Sequence, residues 1–207
     1  MNDPIVVDVV EETGMDSQNE PGAAPDAPKS SGLVQLILDV LETLLLSIVM
    51  FVVINGLSAR VRVDGFSMNP TLQDGEYVLV NRLAYKFGAP QRGDIIVFHF
   101  PLDESQDLIK RVIGLPGDVI RVQNGMVLVN GEKLNEPYIA EAPLYAGEWL
   151  VPEGSLFVMG DNRNDSSDSH SWGPVTMERI IGKAILVYWP FNEWNMINHY
   201  EFVKASQ

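Results

Sequence analysis

The sequence contains no cysteine. That excludes a disulfide framework, a thiolate nucleophile and any cysteine-ligated metal site. It has only three histidines, His99, His170 and His199, scattered along the chain, so a Ser-His-Asp triad has few candidates. Basic residues are scarce: 14 Lys and Arg against 28 Asp and Glu give a formal net charge of -14. A nucleic-acid-binding face needs the opposite sign, and no nucleic-acid partner is expected. Past residue 60 no helical periodicity lasts longer than two turns, and long apolar runs are missing except for one near the amino end. The 207 residues, 46% of them hydrophobic, suffice for one domain with a real core plus accessory segments.

The one long apolar run covers residues 33–57 and follows Ser30-Ser31-Gly32, residue types that cap helices. Asp39 and Glu42 interrupt its first half, and residues 43–59 carry no charge. As a helix that uncharged stretch rises about 26 Å, close to the ~30 Å hydrocarbon core of a bilayer. It predicts a membrane anchor over 33–57 in place of a buried core helix. The preceding flank is acidic and no clean cleavage site follows, unlike a cleaved signal peptide. Residues 1–32 read as a disordered acidic tail, with an acidic binding segment as the alternative; prolines at 21, 25 and 28 forbid a helix or ladder there. Arg60 and Arg62 directly follow the span, and bases counted alone place its carboxyl side in the cytoplasm.

Residues 58–207 read as a mostly β domain. Short runs rich in Val, Ile and Tyr at 76–81, 95–100, 108–113, 119–122, 126–129, 156–159 and 180–189 predict strands. Asn124-Gly125 and Asn130-Gly131 are hairpin signals, because both central positions favour positive φ. Residues 134–152 read as loop-rich. The strands are too many for one flat sheet, so the expected fold is a coiled, barrel-like antiparallel sheet system behind one N-terminal transmembrane helix. Arg92-Gly93-Asp94 reads as a turn before a strand.

Three segments carry chemical potential. In the octapeptide at 65–72, Ser67 stands between Gly65 and Pro70, which favours a rigid corner with a directed hydroxyl. Such a serine is a nucleophile if a base lies nearby, and an ordinary polar turn otherwise. Lys110 lies among apolar residues and, by strand alternation, points opposite to Ile109 and Arg111. A buried lysine loses its proton easily and can then accept one from a serine hydroxyl; a solvated strand lysine does neither. The segment 160–170 is dense in groups that bond backbone. It fails as a calcium loop, with Ser166 at the sixth position and Trp172 at the twelfth, and is left as a polar scaffold.

Together these pieces resemble the ordered sequence boxes of the type I (leader) signal peptidases. The resemblance rests on Ser67-Met68-x-Pro70-Thr71-Leu72, Arg92-Gly93-Asp94-Ile95, Lys110-Arg111-Val112-x-Gly114-x-Pro116-Gly117-Asp118, and Gly160-Asp161-Asn162-Arg163 with Ser166, Asp168 and Ser169. It runs from about residue 40 to 190. It implies a membrane-anchored serine endopeptidase with the catalytic domain on the outer face of the plasma membrane. The implied substrates are signal-peptide-bearing preproteins cut after an Ala-x-Ala-like site, and the resemblance implies no cofactor and no metal. It further implies Ser67 as nucleophile, Lys110 as general base, the Ser67 N–H as an oxyanion donor, Ser166 as the group positioning Lys110, and Asp161, Asn162, Arg163 and Asp168 as the frame. Met68 and Ile109 are candidates to floor the pockets for small substrate residues. Two positions depart from many family members: Gly65 offers no hydroxyl for the oxyanion, and His170 stands where Arg is common, so an Asp168–His170 pair is titratable near neutral pH.

Two other readings fit parts of the sequence. Self-cleaving SOS-response repressors share a Ser/Lys dyad and a related fold, but carry a soluble DNA-binding domain. An anchored β binding module would leave Ser67 and Lys110 as surface residues. The main reading further expects an exposed apolar rim at Phe66, Trp189, Phe191 and Trp194 facing lipid.

Overall fold

The computed structural model describes residues 32–200. The expected tail therefore lies outside the described residues except for Gly32, which opens the first helix. That helix, α1 (Gly32–Leu57), buries none of its side chains. Leu, Val and Ile are exposed all round it, and its mean hydropathy and length suit a membrane crossing. A helix apolar on every side is matched to lipid or to a covering partner, not to water. The chain divides into two compact units at Leu45, within α1.

From residue 58 the chain is β: β1 (Ser58–Arg62), β2 (Tyr77–Asn81), β3 (Ile95–Phe100), β4 (Asp103–Gly114), β5 (Val119–Gln123), β6 (Met126–Val129), β7 (Glu132–Lys133), β8 (Gly147–Leu150), β9 (Ser155–Met159), β10 (Val175–Thr176), β11 (Ile180–Trp189) and β12 (Asn195–Met196). Among the described residues one short α-helix, α2 (Ser169–Trp172), and two 3-10 turns, Met177–Arg179 and Phe191–Glu193, interrupt them. The larger sheet runs β1-β2-β11-β3-β4-β9-β10, with β12 added on β11; the smaller runs β7-β6-β5-β8. Every pairing is antiparallel. The mostly β, antiparallel expectation holds, and the larger sheet is an open path ending in β1 and β10.

β3 shows why its sequence is continuously apolar. Ile95 and Val97 enter one core cluster with Val78, Val80 and Ala184. Ile96 and Phe98 enter a second, with Val112, Leu156 and Val158. Both faces are covered, so alternation with polar residues disappears. Each such side chain contributes about 1.5–3 kcal/mol by leaving water. The smaller sheet has its own cluster of Ile120, Val122, Val127 and Val129 under Phe157 and Met159.

Both Asn-Gly pairs form two-residue hairpin turns with all four φ positive, at 50°, 71°, 55° and 86°. β4 starts earlier than its apolar residues predict. Its first residues are polar and exposed, and only the hairpin with β3 makes them strand. β8 falls within the stretch read as loop. Its Gly147-Glu148-Trp149-Leu150 sequence has little strand preference, and pairing with β5 imposes it. Phe66, Trp189, Phe191 and Trp194, the residues named for an apolar rim, are exposed, and Met196 is exposed as well.

Candidate active site

Ser67 sits in the turn joining β1 to β2. Gly65 has φ +94° and donates its N–H to Asp74 Oδ1 at 2.7 Å. Only glycine adopts that φ without strain. Asn69 N–H donates to Phe66 O at 3.1 Å and Leu72 N–H to Met68 O at 3.0 Å. Met68 and Leu72 are wholly buried in one cluster, so the turn is pinned from below while Ser67 stays half-buried above it.

Lys110 comes from β4. Its register partner on β3 is Ile96, and β9 pairs with β4 only from Arg111 onward. Just past that point the chain leaves β9 as residues 160–162, which makes room for the lysine side chain. Lys110 is 3% exposed. Its Nζ donates to Ser67 Oγ at 2.8 Å and to Ile109 O at 2.9 Å. Burial lowers its pKa from the ordinary 10.5 to about 8, against the opposing pull of Asp168 and Asp161. The two residues singled out as nucleophile and base, 43 positions apart in sequence, are in direct contact.

The segment after β9 holds the serine from the other side. Asn162 donates its backbone N–H to Ser67 O at 3.1 Å and its Nδ2 to Phe66 O at 3.1 Å. Gly160 is essential to this approach: a Cβ there would lie 2.3 Å from both Ser67 O and Ser166 Oγ. Asp168 Oδ2 accepts from Gly160 N–H at 2.9 Å. Asp168 Oδ1 pairs with His170 Nδ1 at 2.6 Å, and the His170 ring stacks on Tyr145 with centroids 4.1 Å apart. The Asp168–His170 pair expected from the sequence is formed.

The frame residues are buried ion pairs. Asp161 is fully buried and meets Arg111 twice, Nε to Oδ1 at 2.8 Å and Nη2 to Oδ2 at 2.7 Å. Thr71 Oγ1 donates to the same carboxylate at 2.5 Å. Arg163 binds Glu136 with both terminal nitrogens, at 2.9 and 2.5 Å, and Gly160 O with Nε at 3.1 Å. The Tyr138 ring lies against both guanidiniums, 4.1 Å from that of Arg111 and 5.9 Å from that of Arg163.

Several outcomes differ from the sequence expectation. Ser166 Oγ is buried beside Gly160 but has no hydrogen-bond partner among the described residues. The positioning contact expected from Ser166 to Lys110 is not formed: Lys110 Nζ bonds Ser67 Oγ and Ile109 O, and Ser166 Oγ bonds neither. Met68 and Ile109 do share one cluster, at 0% and 8% exposure. Arg111, Thr71, Glu136 and Tyr138 carry the frame, yet their partnerships were not anticipated. One signal was available: an arginine inside an apolar strand needs a buried carboxylate, and Asp161 is such a residue. Arg92-Gly93-Asp94 is a turn, with Asp94 buried and bound by Tyr85 Oη at 2.9 Å and Lys183 Nζ at 2.6 Å. Among the described residues no group of His, Cys, Asp and Glu is arranged to hold a metal ion.

Comparison with known proteins gives this geometry a family. The chain is 46% identical over 147 residues to the probable signal peptidase I-1 of Synechocystis, covering 67% of this chain and 75% of that protein. It is 43% identical over 162 residues to signal peptidase I of Leptolyngbya laminosa, covering 73% and 79%. A signal peptidase I from Enterococcus faecalis aligns at 35% identity over 45% of this chain and 95% of the solved one, with a TM-score of 0.43; the fold rests on the sheets described above, not on that likeness. The profile of the signal peptidase, peptidase S26 family matches residues 37–189, and with that match covering most of α1, the Ser67 turn, Lys110 and the 160–170 segment, the chain belongs to the signal peptidase family, peptidase S26.

Proposed function

We propose that this chain is anchored in the plasma membrane by α1, with its amino end cytoplasmic and its β domain on the outer face. There it removes signal peptides from preproteins by a Ser67/Lys110 dyad. The observation that carries the reading is the 2.8 Å contact between Ser67 Oγ and a lysine amine at 3% exposure. A solvated lysine would be charged at neutral pH and useless as a base; burial favours the neutral amine. In that form the contact reverses, with the Ser67 O–H donating to the Nζ lone pair.

The chemistry is acyl transfer. Ser67 Oγ attacks the scissile carbonyl carbon while its proton passes to Lys110 Nζ. The C–N bond breaks, Lys110 hands the proton to the leaving amine, and an ester to Ser67 remains. Water, deprotonated by the same amine, then releases the acyl group as a carboxylic acid. The Ser67 N–H, with no protein acceptor among the described residues, is positioned to meet the oxyanion. Such a preorganised donor typically contributes 10²–10³ in rate. Asp161, Asn162, Arg163 and Asp168 hold the turn and the lysine in register through the bonds described above. Ser166, as the resemblance implies, helps position Lys110; its buried hydroxyl lies beside Gly160.

The substrate strand lies against β4. Ahead of Arg111, the edge of β4 away from β3 has no partner strand among the described residues, so its backbone groups are available for strand addition. Side chains alternate along an extended substrate. The first and third residues before the bond therefore face one wall, floored by Met68 and Ile109. Small residues fit there; large ones clash.

Cleavage of a preprotein by the full-length enzyme in detergent tests the proposal. Wild type should release the mature protein, and Ser67→Ala should release none. A series with Gly, Ala, Ser, Val, Leu and Phe before the bond should fall in rate with volume. Processing of Leu or Phe as fast as Ala would sink the pocket assignment while leaving the dyad standing.

A further inference from the structure

Most basic side chains of the described residues are engaged. Arg62, Arg92, Arg111, Arg121, Arg163, Arg179 and Lys183 each pair with a carboxylate, and Lys110 is held by Ser67. Arg60, Arg82, Lys86 and Lys133 make no ion pair and no side-chain hydrogen bond among the described residues. Three of these four line one groove. Arg60, Arg82 and Lys86 border a cavity of about 750 Å³ that opens beside Asn55 and Ser58. All three are exposed. Two carboxylates, Asp107 and Glu178, share the walls with these three cations, and Asp107 also contacts His99 Nδ1 at 2.8 Å. In a chain of net charge -14, carboxylates abound to pair with such a cluster, yet none of the three cations is paired among the described residues and the groove keeps a formal excess of one positive charge.

We infer that this groove binds the phosphate headgroup of an anionic membrane lipid, with Arg60, Arg82 and Lys86 as its ligands. The inference rests on the reading of α1 as a membrane span. The groove begins at Asn55, in the last turn of α1, and Arg60 follows only three residues after Leu57. On that reading it sits where the span reaches the outer headgroup layer, and unpaired Lys and Arg there can bond lipid phosphate oxygens by charge-assisted hydrogen bonds. Exposed Phe87, next to Lys86, adds an apolar side chain beside the cations. The assignment also accounts for Arg60 lying on the side of the span where charge bias alone does not favour it: the residue is kept there as a ligand.

Native mass spectrometry of the full-length protein, titrated in detergent with phosphatidylglycerol or phosphatidylcholine, tests this. Wild type should retain phosphatidylglycerol at least about tenfold better, and the R60A/R82A/K86A variant should lose most of that preference. The charge-preserving R60K/R82K variant should keep it, which separates loss of the site from loss of the fold. K133A, a lone cation elsewhere, should behave as wild type. Unchanged preference in the triple alanine variant overturns the site. Displacement by equimolar inorganic phosphate, or by an acidic peptide, overturns the lipid as occupant. Flotation with neutral phosphatidylcholine vesicles tests the span separately. Wild type and triple variant should both float; failure of both removes the span and the inference with it.

Discussion

Arg111 and Asp161 face each other with both side chains fully buried and two hydrogen bonds of 2.8 and 2.7 Å between them. Arg111 adjoins the base Lys110 on β4, and Asp161 adjoins Asn162, whose N–H holds the Ser67 carbonyl. One ion pair thus ties the strand of the base to the segment that fixes the nucleophile. Removing one partner leaves an uncompensated buried charge, a loss of about 3–5 kcal/mol. Asp161→Ala should therefore lower the denaturant midpoint sharply and abolish cleavage. The double variant R111M/D161L should recover much of the stability and none of the activity. Activity in the double variant close to wild type would show that the pair does not position the dyad.

Lys110→Arg should be as inactive as Lys110→Ala. A guanidinium keeps its proton at any accessible pH and cannot accept one from Ser67. Single-turnover cleavage of a preprotein distinguishes the cases, and recovery of more than a few per cent of wild-type rate in the arginine variant would count against the dyad.

The pH dependence follows from the lowered pKa of Lys110, about 8 against an ordinary 10.5. The neutral amine is the active form, so kcat/KM should rise with pH through an apparent pKa near 8. Stability carries the same signature. Below pH 8 both folded and unfolded states hold the proton, and burying the charge costs the fold about 3 kcal/mol. Between pH 8 and 10.5 the unfolded state binds more protons, so stability rises with pH and the cost fades. Lys110→Met should therefore be more stable than wild type at pH 7 and nearly equal at pH 10.5. Urea midpoints at the two values check this, and a pH-independent gap would contradict the assignment.

Gly160→Ala should cost activity out of proportion to its size. The added methyl would meet the Ser67 carbonyl and the Ser166 hydroxyl at 2.3 Å. The carbonyl is backbone, so the Ser67 turn must shift, and a displacement of about 1 Å at a reacting centre can lower rate by about 10². The readout is kcat at saturating substrate; a rate within twofold of wild type would mean the 160–162 segment does not set the nucleophile's position.

Much of this protein is legible in its sequence, for reasons of local physics. A lipid-length run without charge specifies its own environment, and Asn-Gly pairs specify their turns because positive φ suits few other residues. The central strand β3 announces itself by being apolar at every position, since both its faces are covered. Ser67 on its Gly-Pro corner, Lys110 within an apolar strand and the backbone-bonding residues after 160 are each visible as chemical possibilities. What the sequence left open was whether they meet, because a serine and a lysine 43 positions apart are brought together by the sheet order β2-β11-β3-β4 and by the 160–162 segment that holds the Ser67 turn. The same holds for burial, which decides whether Lys110 is a solvated cation or a base. Strands β1 and β8 and the polar start of β4 exist through their partners and not through their residues. The ion pairs of Arg111 and Arg163, and the three cations left unpaired at the end of α1, depend on which carboxylates come within reach. Reach is a property of the folded chain alone.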